Sequence, residues 1–172
     1  MKMSGGVEWA LHCCVVLTAA RQPVPAARLA ELHDVSGSYL AKQLQNLARA
    51  GIIHAVQGHA GGYALTRDPA EITVLDVVEA VDGPRPAFQC TEIRQRGPLA
   101  TPPEQCIRPC AIHRAMTAAD EAWRASLRAV TIAGLAQTVT DDNGPQVFAG
   151  MREWLLPLRE AEPGEGDVGQ PA

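Results

Sequence analysis

The sequence predicts a mainly α-helical fold with a small β-hairpin, and two observations support this. Aromatic residues make up only 4% of the 172-residue chain although 47% is hydrophobic. The core must therefore be built from Ala, Val, Leu and Ile, a composition that suits helices more than β-sandwiches. Apolar residues also recur at helical spacing along most of the chain, and two short apolar runs flank one glycine-rich turn.

Length, hydropathy and the N-terminus exclude several classes of protein. The chain has room for one core and an accessory segment, which excludes large multidomain enzymes. No apolar run approaches the length of a membrane span, and the N-terminus lacks the apolar region of a signal peptide. A cytoplasmic protein with no membrane contact is expected. Five cysteines in that reducing compartment suggest metal or redox chemistry.

The first predicted helix, 6–20, is apolar on nearly all sides. A helix of this kind needs two covers, and in so small a chain the second cover is expected to be a partner subunit. The sequence therefore predicts a homodimer.

Two helices joined by a tight turn follow, over 26–33 and from Ser36 or Ser38 to Ala50. Either serine can cap the second helix, and Gly51 is a typical residue to end it. The inward positions of this second helix are Leu40, Leu44 and Leu47. Its outward positions include donors and acceptors that suit base edges and phosphates, although a solvated face is the alternative. Gln45 and Asn46 are also outward, and the residues of this helix predicted to contact DNA are Ser38, Tyr39, Lys42, Gln43 and Arg49.

A β-hairpin follows this helix pair, with strands at 52–56 and 63–65 around a turn at 58–62. A hairpin in this position is a wing, so residues 1–83 are predicted to form a winged helix-turn-helix DNA-binding domain that ends with an amphipathic stretch over 71–81. A loop at 84–110 carries three of the cysteines. Residues 111–158 are predicted to supply a long dimerisation helix, reaching about Val130, and a C-terminal helix over 146–158. A disordered tail is expected at 159–172.

A set of residues in the first half fits one known family. The set is Ser38-Tyr39-Leu40, Gln43-Leu44, Leu47, Ala50-Gly51-Ile52-Ile53, Gly58, Gly61-Gly62-Tyr63-Ala64-Leu65, Pro69, Ile72-Thr73-Val74, Asp76-Val77-Val78, Ala80-Val81 and Gly83. It resembles the iron-sulfur winged-helix transcription regulators of the IscR/NsrR family, which are homodimers. The resemblance implies that Ser38, Tyr39, Gln43 and Arg49 lie on the recognition helix. It also implies that His59, Gly61 and Gly62 form the wing tip, where two glycines would allow positive φ and close approach of backbone to phosphate.

The cysteines depart from the usual family pattern of three closely bunched residues. Fifteen residues separate Cys90 from Cys106, and three separate Cys106 from Cys110. In this respect the chain is most similar to the redox-sensing branch typified by RsrR, which carries a two-iron cluster. The resemblance therefore implies a [2Fe-2S] cofactor bound by the loop that precedes the long helix.

A cluster of this kind normally uses four protein ligands, and His can replace Cys on one iron. Glu8 and His12 are four residues apart, which places a carboxylate and an imidazole on one face of the first helix. Relatives can supply an acidic ligand from this helix across the dimer. The predicted set is therefore Cys90 and Cys110 of one subunit with Glu8 and His12 of the other, the alternative being that Glu8 and His12 are an ordinary solvated pair.

Other assignments of the cysteines stay open. Cys106 is the rival of Cys110, and Cys90, Cys106, Cys110 and His113 together could form a local zinc site. Cys13 and Cys14 lie in apolar sequence and are expected to be buried small hydrophobes.

The combined expectation is a DNA-binding repressor, not an enzyme, in which the oxidation state of a [2Fe-2S] cluster controls operator affinity. Trp9 either relays that state to the DNA-binding helices or is a packed interface aromatic. Two recognition helices would enter successive major grooves of a pseudo-palindromic operator in double-stranded DNA. One alternative keeps the DNA-binding domain with a zinc or thiol-disulfide sensor at Cys90, Cys106 and Cys110. Another, from a different class, is an iron-sulfur electron carrier.

Overall fold

The computed structural model describes residues 3–58 and 61–155 of the chain. Within them the chain is mainly helical, with a two-stranded antiparallel sheet after the third helix, and the predicted fold class is confirmed. His59, the end of the last predicted helix at 156–158 and the tail from Arg159 lie outside the described residues. In the described ranges no helix combines the length and the apolar composition needed to span a membrane.

Helix α1, Gly5–Ala19, is buried on almost every side, as its sequence predicts. It packs against two helices of the N-terminal half and two of the C-terminal half of the same chain. The expectation that a partner subunit covers its second side is therefore wrong, because the chain itself supplies that cover. Two helices near the C-terminus do so, with Phe148 and Met151 among the side chains packed on the core.

The helix-turn-helix consists of α2, Ala26–Leu32, and α3, Gly37–Arg49. Of the two serines proposed as the cap, Ser36 is the one observed, since its Oγ accepts a hydrogen bond from the Tyr39 N–H at 3.3 Å. The inward leucines of α3 are fully buried, as predicted, and these are Leu40, Leu44 and Leu47. After α3 the chain turns at Gly51, where φ is +70°.

The wing is a hairpin of β1, Ile53–Val56, and β2, Gly62–Leu65, with Ile53 paired to Leu65 and Val56 to Gly62. Val24, which precedes α2, extends it by one residue because its N–H and C=O both hydrogen-bond to Tyr63, at 2.9 and 2.8 Å. The wing is thereby attached to the entrance of the helix-turn-helix.

Helix α4, Val74–Asp82, begins later than the predicted stretch at 71–81 because Thr73 caps it. The Asp76 N–H donates to the Thr73 hydroxyl at 3.1 Å and the Thr73 N–H donates to the Asp76 carboxylate at 2.8 Å, which is a capping box. Residues 69–71 form a single turn of 3₁₀ helix instead.

The C-terminal half contains three described helices: α5, Ala111–Arg128; α6, Ile132–Asn143; and α7, Gln146–Leu155. The sequence predicted α5 and α7 but missed α6. Its signal was present, since Thr131 caps the helix through the Gly134 N–H at 3.0 Å, and Ile132, Leu135 and Val139 follow at helical spacing.

Candidate metal centre and nucleic-acid interface

The exposed face of α3 carries four of the five predicted DNA-contacting side chains on this helix. They are Ser38, Tyr39, Lys42 and Arg49. The Arg49 guanidinium donates to the Asn46 amide oxygen at 2.9 Å, which orients it along the helix. All four present donors to solvent from one helix that follows a tight turn.

Gln43 is the exception, and its prediction as a DNA-contacting residue is corrected. The side chain is only 4% exposed and points toward α1, where a Cβ on Gly6 would lie 2.7 Å from its Oε1 atom. The physical reason is helical spacing: position 43 is three residues after Leu40 and four before Leu47, on the inward stripe of α3. The missing side chain of Gly6 leaves the room that the amide fills.

The positive φ expected of the wing glycines is not observed, and close contacts within the protein give another reason for glycine at these positions. Neither Gly61 nor Gly62 has a positive φ, whereas Gly58 does, at +114°. A Cβ on Gly62 would lie 2.5 Å from the Val24 carbonyl oxygen, and one on Gly61 would lie 2.5 Å from the Val56 carbonyl oxygen. The close approach that requires glycine is therefore between backbone segments of the wing itself. His59 cannot be placed, because it lies outside the described residues.

Two of the three loop cysteines, Cys90 and Cys110, lie next to each other. The Sγ atoms of Cys90 and Cys110 are 3.9 Å apart, although nineteen residues separate them in sequence. Thiolates held at about 2.3 Å by one tetrahedral ion are about 3.8 Å apart. Both thiols are free, and a disulfide would need about 2 Å. The observed separation thus suits two ligands of one metal ion.

Backbone and side-chain groups surround this thiol pair. The Glu92 N–H donates to Cys90 Sγ at 3.4 Å, and the His113 N–H donates to Cys110 Sγ, the N-cap of α5, at 3.2 Å. The hydrogen bond with Glu92 raises the pKa of Arg94 beyond its usual range. Thiolates at Cys106 and Cys110 would raise the pKa of Arg94 further by charge attraction.

A local four-ligand site does not form in the part of the chain that the structure describes. No group of three or more His, Cys, Asp or Glu side chains there is arranged to hold a metal. The local zinc set with Cys106 and His113 is thus not assembled within one subunit. His113 instead packs against Phe88, with ring centroids 6.3 Å apart.

The predicted ligands on α1 lie on its exposed face. Glu8 and His12 are both exposed, and Trp9 beside them is half-buried. The rings of Trp9, His12 and His33 form a cluster with centroids 5.6 to 6.4 Å apart. Burial, and secondarily His12, lowers the pKa of His33, which follows the last residue of α2. The candidate ligand face of α1 therefore contacts the helix-turn-helix directly.

Cys13 and Cys14 are buried within the core, as predicted. Burial raises the pKa of the Cys13 thiol to about 12 and raises that of Cys14 as well. A neutral buried thiol is a poor metal ligand, because the thiolate is the binding form.

Sequence reasoning missed the residue that attaches the cysteine loop to the N-terminal domain. Arg124 of α5 donates to Asp120 at 2.7 Å, to Glu79 of α4 and to the Pro84 carbonyl at 2.9 Å. Asp120 also accepts from the Ala87 N–H at 3.4 Å and is the one buried residue of α5. The start of the loop is thereby fixed to both helices. The signal in the sequence was a charged pair, four residues apart, on the side of α5 that faces α4.

A family model described as Rrf2, iron-dependent transcriptional regulator, matches residues 3–138. The chain belongs to the Rrf2 family. Among curated relatives, IscR of Photorhabdus laumondii is 38% identical over 76 residues, which is 44% of this chain and 46% of that protein. The chain spans about half the length of the curated relatives it matches.

Two solved structures share the fold of this chain. CymR, the global cysteine regulator of B. subtilis, superposes with a TM-score of 0.63 at 21% identity, over 80% of this chain and 98% of CymR. IscR of T. potens gives a TM-score of 0.59 at 18% identity, over 83% of this chain and 91% of that one. Rrf2 proteins are transcriptional regulators and not enzymes, as the sequence predicted. The prediction of an IscR-like regulator is confirmed at the level of the Rrf2 family.

Proposed function

We propose that this Rrf2 protein is a homodimeric, redox-sensing transcriptional repressor that binds a [2Fe-2S] cluster between its subunits. Cys90 and Cys110 of one subunit would hold it together with Glu8 and His12 of the partner subunit. The observation that carries the proposal is the 3.9 Å separation of the two thiols. The iron-dependent description of the matching family supports iron as the metal.

The second half of the ligand set is proposed to come from another subunit because one subunit does not supply it. Within the described residues, no third ligand joins the thiol pair. Glu8 and His12 are exposed and lie one helical turn apart on α1, so both side chains can reach the same site on a neighbouring molecule. A carboxylate, an imidazole and two thiolates make a mixed donor set with a higher reduction potential than four thiolates.

The dimer would form through α5 and the cysteine loop. Apolar side chains that project from this helix have no cover in one subunit: Ile112 is 67% exposed and Met116 is 41% exposed. The loop adds Ile93, Leu99 and Ile107, which are also exposed. Large exposed apolar patches are typical of protein interfaces, and a symmetric dimer would bring the same stripe of two subunits together.

Substitution on α5 tests the dimer. Met116→Glu places a charge in the apolar stripe, and we expect it to shift the protein toward monomer in sedimentation velocity at micromolar concentration. Ala118→Glu is the matched control, since it adds the same charge on the opposite, exposed side of the helix. Equal dimer content in both variants would contradict the assignment of this interface.

DNA binding is proposed for the exposed face of α3 and the wing. Ser38, Tyr39, Lys42 and Arg49 supply hydrogen-bond donors and positive charge, while the net charge of the whole chain is −4. Attraction to phosphate must therefore be local to this face. Two such helices related by a dimer axis would enter successive major grooves, which requires a pseudo-palindromic operator.

A bound [2Fe-2S] cluster would supply a reversible one-electron couple. The chain offers a short physical connection from its ligands to the DNA-binding helices. Trp9 lies between Glu8 and His12 and packs on His33, at the end of α2. A displacement of the α1 face would therefore move a side chain that contacts the helix-turn-helix, which supports Trp9 as the relay.

The test is an anaerobic absorption spectrum with iron and sulfide counts, made on the full chain and on single alanine variants. Cys90→Ala, Cys110→Ala, Glu8→Ala and His12→Ala should each lose the visible absorption and two irons per chain. Cys106→Ala is the matched control, because the same residue type in the same loop lies outside the proposed set, and it should keep both. Retention of the cluster by Cys90→Ala would overturn the proposal.

A second candidate uses the same thiol pair. Cys90 and Cys110 at 3.9 Å could also bind zinc or form a disulfide after a small movement, which would make the protein a colourless thiol sensor. Colour separates the two functions, since neither zinc nor a disulfide absorbs visible light. Colourless protein that retains stoichiometric zinc through Cys90 and Cys110 would favour this second candidate.

A further inference from the structure

Arg94 connects the segment that follows Cys90 with the segment that precedes Cys110. Its Nε and Nη2 atoms donate to the two carboxylate oxygens of Glu92 at 2.5 and 2.9 Å, and Nη2 also donates to the Arg108 carbonyl at 3.1 Å. Glu92 lies two residues after Cys90, and Arg108 lies two residues before Cys110. One guanidinium therefore connects the segments that carry the two thiols.

We propose that Arg94 is a positioning residue that holds Cys90 and Cys110 at metal-binding separation by bridging Glu92 to the Arg108 carbonyl. The inference rests on the proposed function in that it takes the same thiol pair as the site. It differs in that Arg94 is not a ligand. Its effect should be seen with any thiol-binding metal and in the absence of iron.

Arg124 and Asp120 close the loop at its base, but the segment between the two cysteines has little regular structure to hold it. Residues 91–109 contain no strand and no α-helix, only two single turns of 3₁₀ helix at Ile93–Gln95 and Pro103–Gln105. Bringing the ends of a flexible loop together has an entropic cost, and an open loop would leave the thiols apart. The contacts of Arg94 oppose that opening at the position of the thiols.

Glu92 shows that the arrangement is held against a local preference. Its φ is +49°, in the left-handed region that residues other than glycine seldom adopt. In this conformation its N–H donates to Cys90 Sγ while its carboxylate faces Arg94. Without the guanidinium the backbone of Glu92 is free to leave the left-handed region, and its hydrogen bond to Cys90 Sγ is then lost.

The geometry specifies arginine. Two nitrogens of one planar group donate to both carboxylate oxygens of Glu92, and one of them also donates to the Arg108 carbonyl. The single nitrogen of a lysine does not reproduce this fork. A lysine at this position would keep the positive charge near Cys106 and Cys110 but lose the bridge. Comparison of the two residues therefore separates a positioning role from a purely electrostatic one.

The test is cobalt(II) titration of the reduced, iron-free full chain in a Cys106→Ser background, followed by thiolate-to-cobalt charge-transfer absorption. Charge-assisted hydrogen bonds of this kind are worth enough for Arg94→Gln to weaken cobalt binding about tenfold or more. Arg94→Lys should be weakened to a similar extent. Arg96→Gln is the matched control: it removes the same charge from the same loop, but Arg96 has no side-chain hydrogen bond within the described residues, so its affinity should be unchanged.

A second readout uses thiol-disulfide exchange with glutathione. One molecule of oxidised glutathione accepts two electrons from Cys90 and Cys110, forming their disulfide and releasing two molecules of reduced glutathione. In the Cys106→Ser background the remaining cysteines, Cys13 and Cys14, are buried. The equilibrium constant measures how closely the two thiols are held, and Arg94→Gln should lower it about tenfold.

The outcomes separate this inference from the function it rests on. Cobalt affinity and disulfide equilibrium that are unchanged in Arg94→Gln, or fully restored in Arg94→Lys, overturn the positioning role. If the wild-type protein never holds iron while Arg94→Gln still weakens cobalt binding, the proposed function fails and the inference stands. Unchanged cobalt binding in Cys90→Ser would remove the thiol pair and both proposals with it. Circular dichroism of each variant confirms that it is folded.

Discussion

The contact between Gly6 of α1 and Gln43 of α3 allows a quantitative test of how these helices pack. A Cβ on residue 6 would lie 2.7 Å from Oε1, 2.9 Å from Cδ and 3.0 Å from Nε2 of Gln43. These distances are roughly 0.5 Å inside ordinary van der Waals contact. The amide cannot simply swing into water, since it is buried at the helix interface.

Gly6→Ala should therefore destabilise the protein by about 1–3 kcal/mol through overpacking, partly offset by the better helix propensity of alanine. Gln43→Ala should also destabilise it, by roughly 1–2 kcal/mol, because it empties a packed site and removes a buried amide. In the double variant the new methyl group occupies part of the space that Gln43 leaves. We expect a favourable coupling energy of about 1–2 kcal/mol. The gain in helix propensity from alanine at position 6 is the same with and without Gln43→Ala, so it cancels in the coupling energy.

Urea unfolding of the iron-free protein at one fixed concentration gives the four free energies, with circular dichroism as the signal. The fixed concentration matters because the proposed dimerisation would contribute to the apparent stability. Additive effects of the two substitutions, within about 0.5 kcal/mol, would refute the reasoning, because independent sites behave in that way. A cysteine-loop substitution such as Arg96→Gln should leave the cycle unchanged.

The remaining predictions concern DNA, the wing and pH. Lys42→Ala should weaken binding to operator and to random DNA alike, as measured by fluorescence anisotropy. The slope of log affinity against log salt should fall by about 2 per dimer, and an unchanged slope would contradict a phosphate contact. Gly62→Ala should destabilise the protein by about 1–3 kcal/mol and weaken DNA binding, whereas Gly37→Ala, whose Cβ would meet no atom within 4 Å, should do neither. The hydrogen bond from Arg124 lowers the pKa of Asp120 below its ordinary 3.8, so the carboxylate stabilises the fold at neutral pH and that stabilisation is lost as the pH falls below this value. Asp120→Asn should therefore lower the urea midpoint at pH 7 and converge with wild type in acid, and a pH-independent difference would count against the ion pair.

How far the sequence predicts the DNA-binding half is shown by α3. Its position, its cap and its three inward leucines follow from spacing and from the capping preference of serine. The residue type of Gln43 predicts an exposed side chain, but its position in the helical repeat places it on the buried face. A polar residue on the inward stripe needs a special neighbour, and here that neighbour is a glycine on another helix. No pattern within α3 contains that information.

The C-terminal half illustrates a second limit. The all-round apolar character of α1 correctly predicts two covers, but periodicity does not identify what covers it. The missed helix α6 and the helix α7 supply the second cover, and α1 is therefore a core helix of one subunit. Among the described residues of α5, Ile112 and Met116 are exposed apolar side chains four residues apart, whereas Trp123 and Leu127 of the same helix pack inside the chain. The sequence thus predicts a dimer from two helices; the structure removes the argument from α1, and the argument from α5 remains a proposal.

The cysteine loop shows what long-range contacts add. The choice of Cys110 over Cys106 as the partner of Cys90 depends on a distance between residues far apart in sequence. We propose above that this distance depends on Arg94, which bonds to Glu92. Glu92 has a positive φ, and no local sequence pattern predicts it. The sequence could suggest the ligand types, because thiolates, imidazole and carboxylate are recognisable one by one. It could not supply the bridge that brings the thiols together.

Two routes could connect the proposed metal site to the proposed recognition helix α3: the cysteine loop and helix α1. The start of the cysteine loop is fixed to α4 and α5 by Arg124, whatever the state of the thiols. Among the described residues, no ion pair or side-chain hydrogen bond fixes Glu8 and His12 on the exposed face of helix α1. Gly6, two residues before Glu8, packs directly on Gln43. A change in ligation should therefore reach α3 through α1. If so, Gln43→Ala should reduce the ratio of operator affinities between the cluster-loaded and cluster-free protein, whereas Asp120→Asn should lower stability and preserve that ratio. The reverse pattern would show that the loop, and not α1, transmits the change.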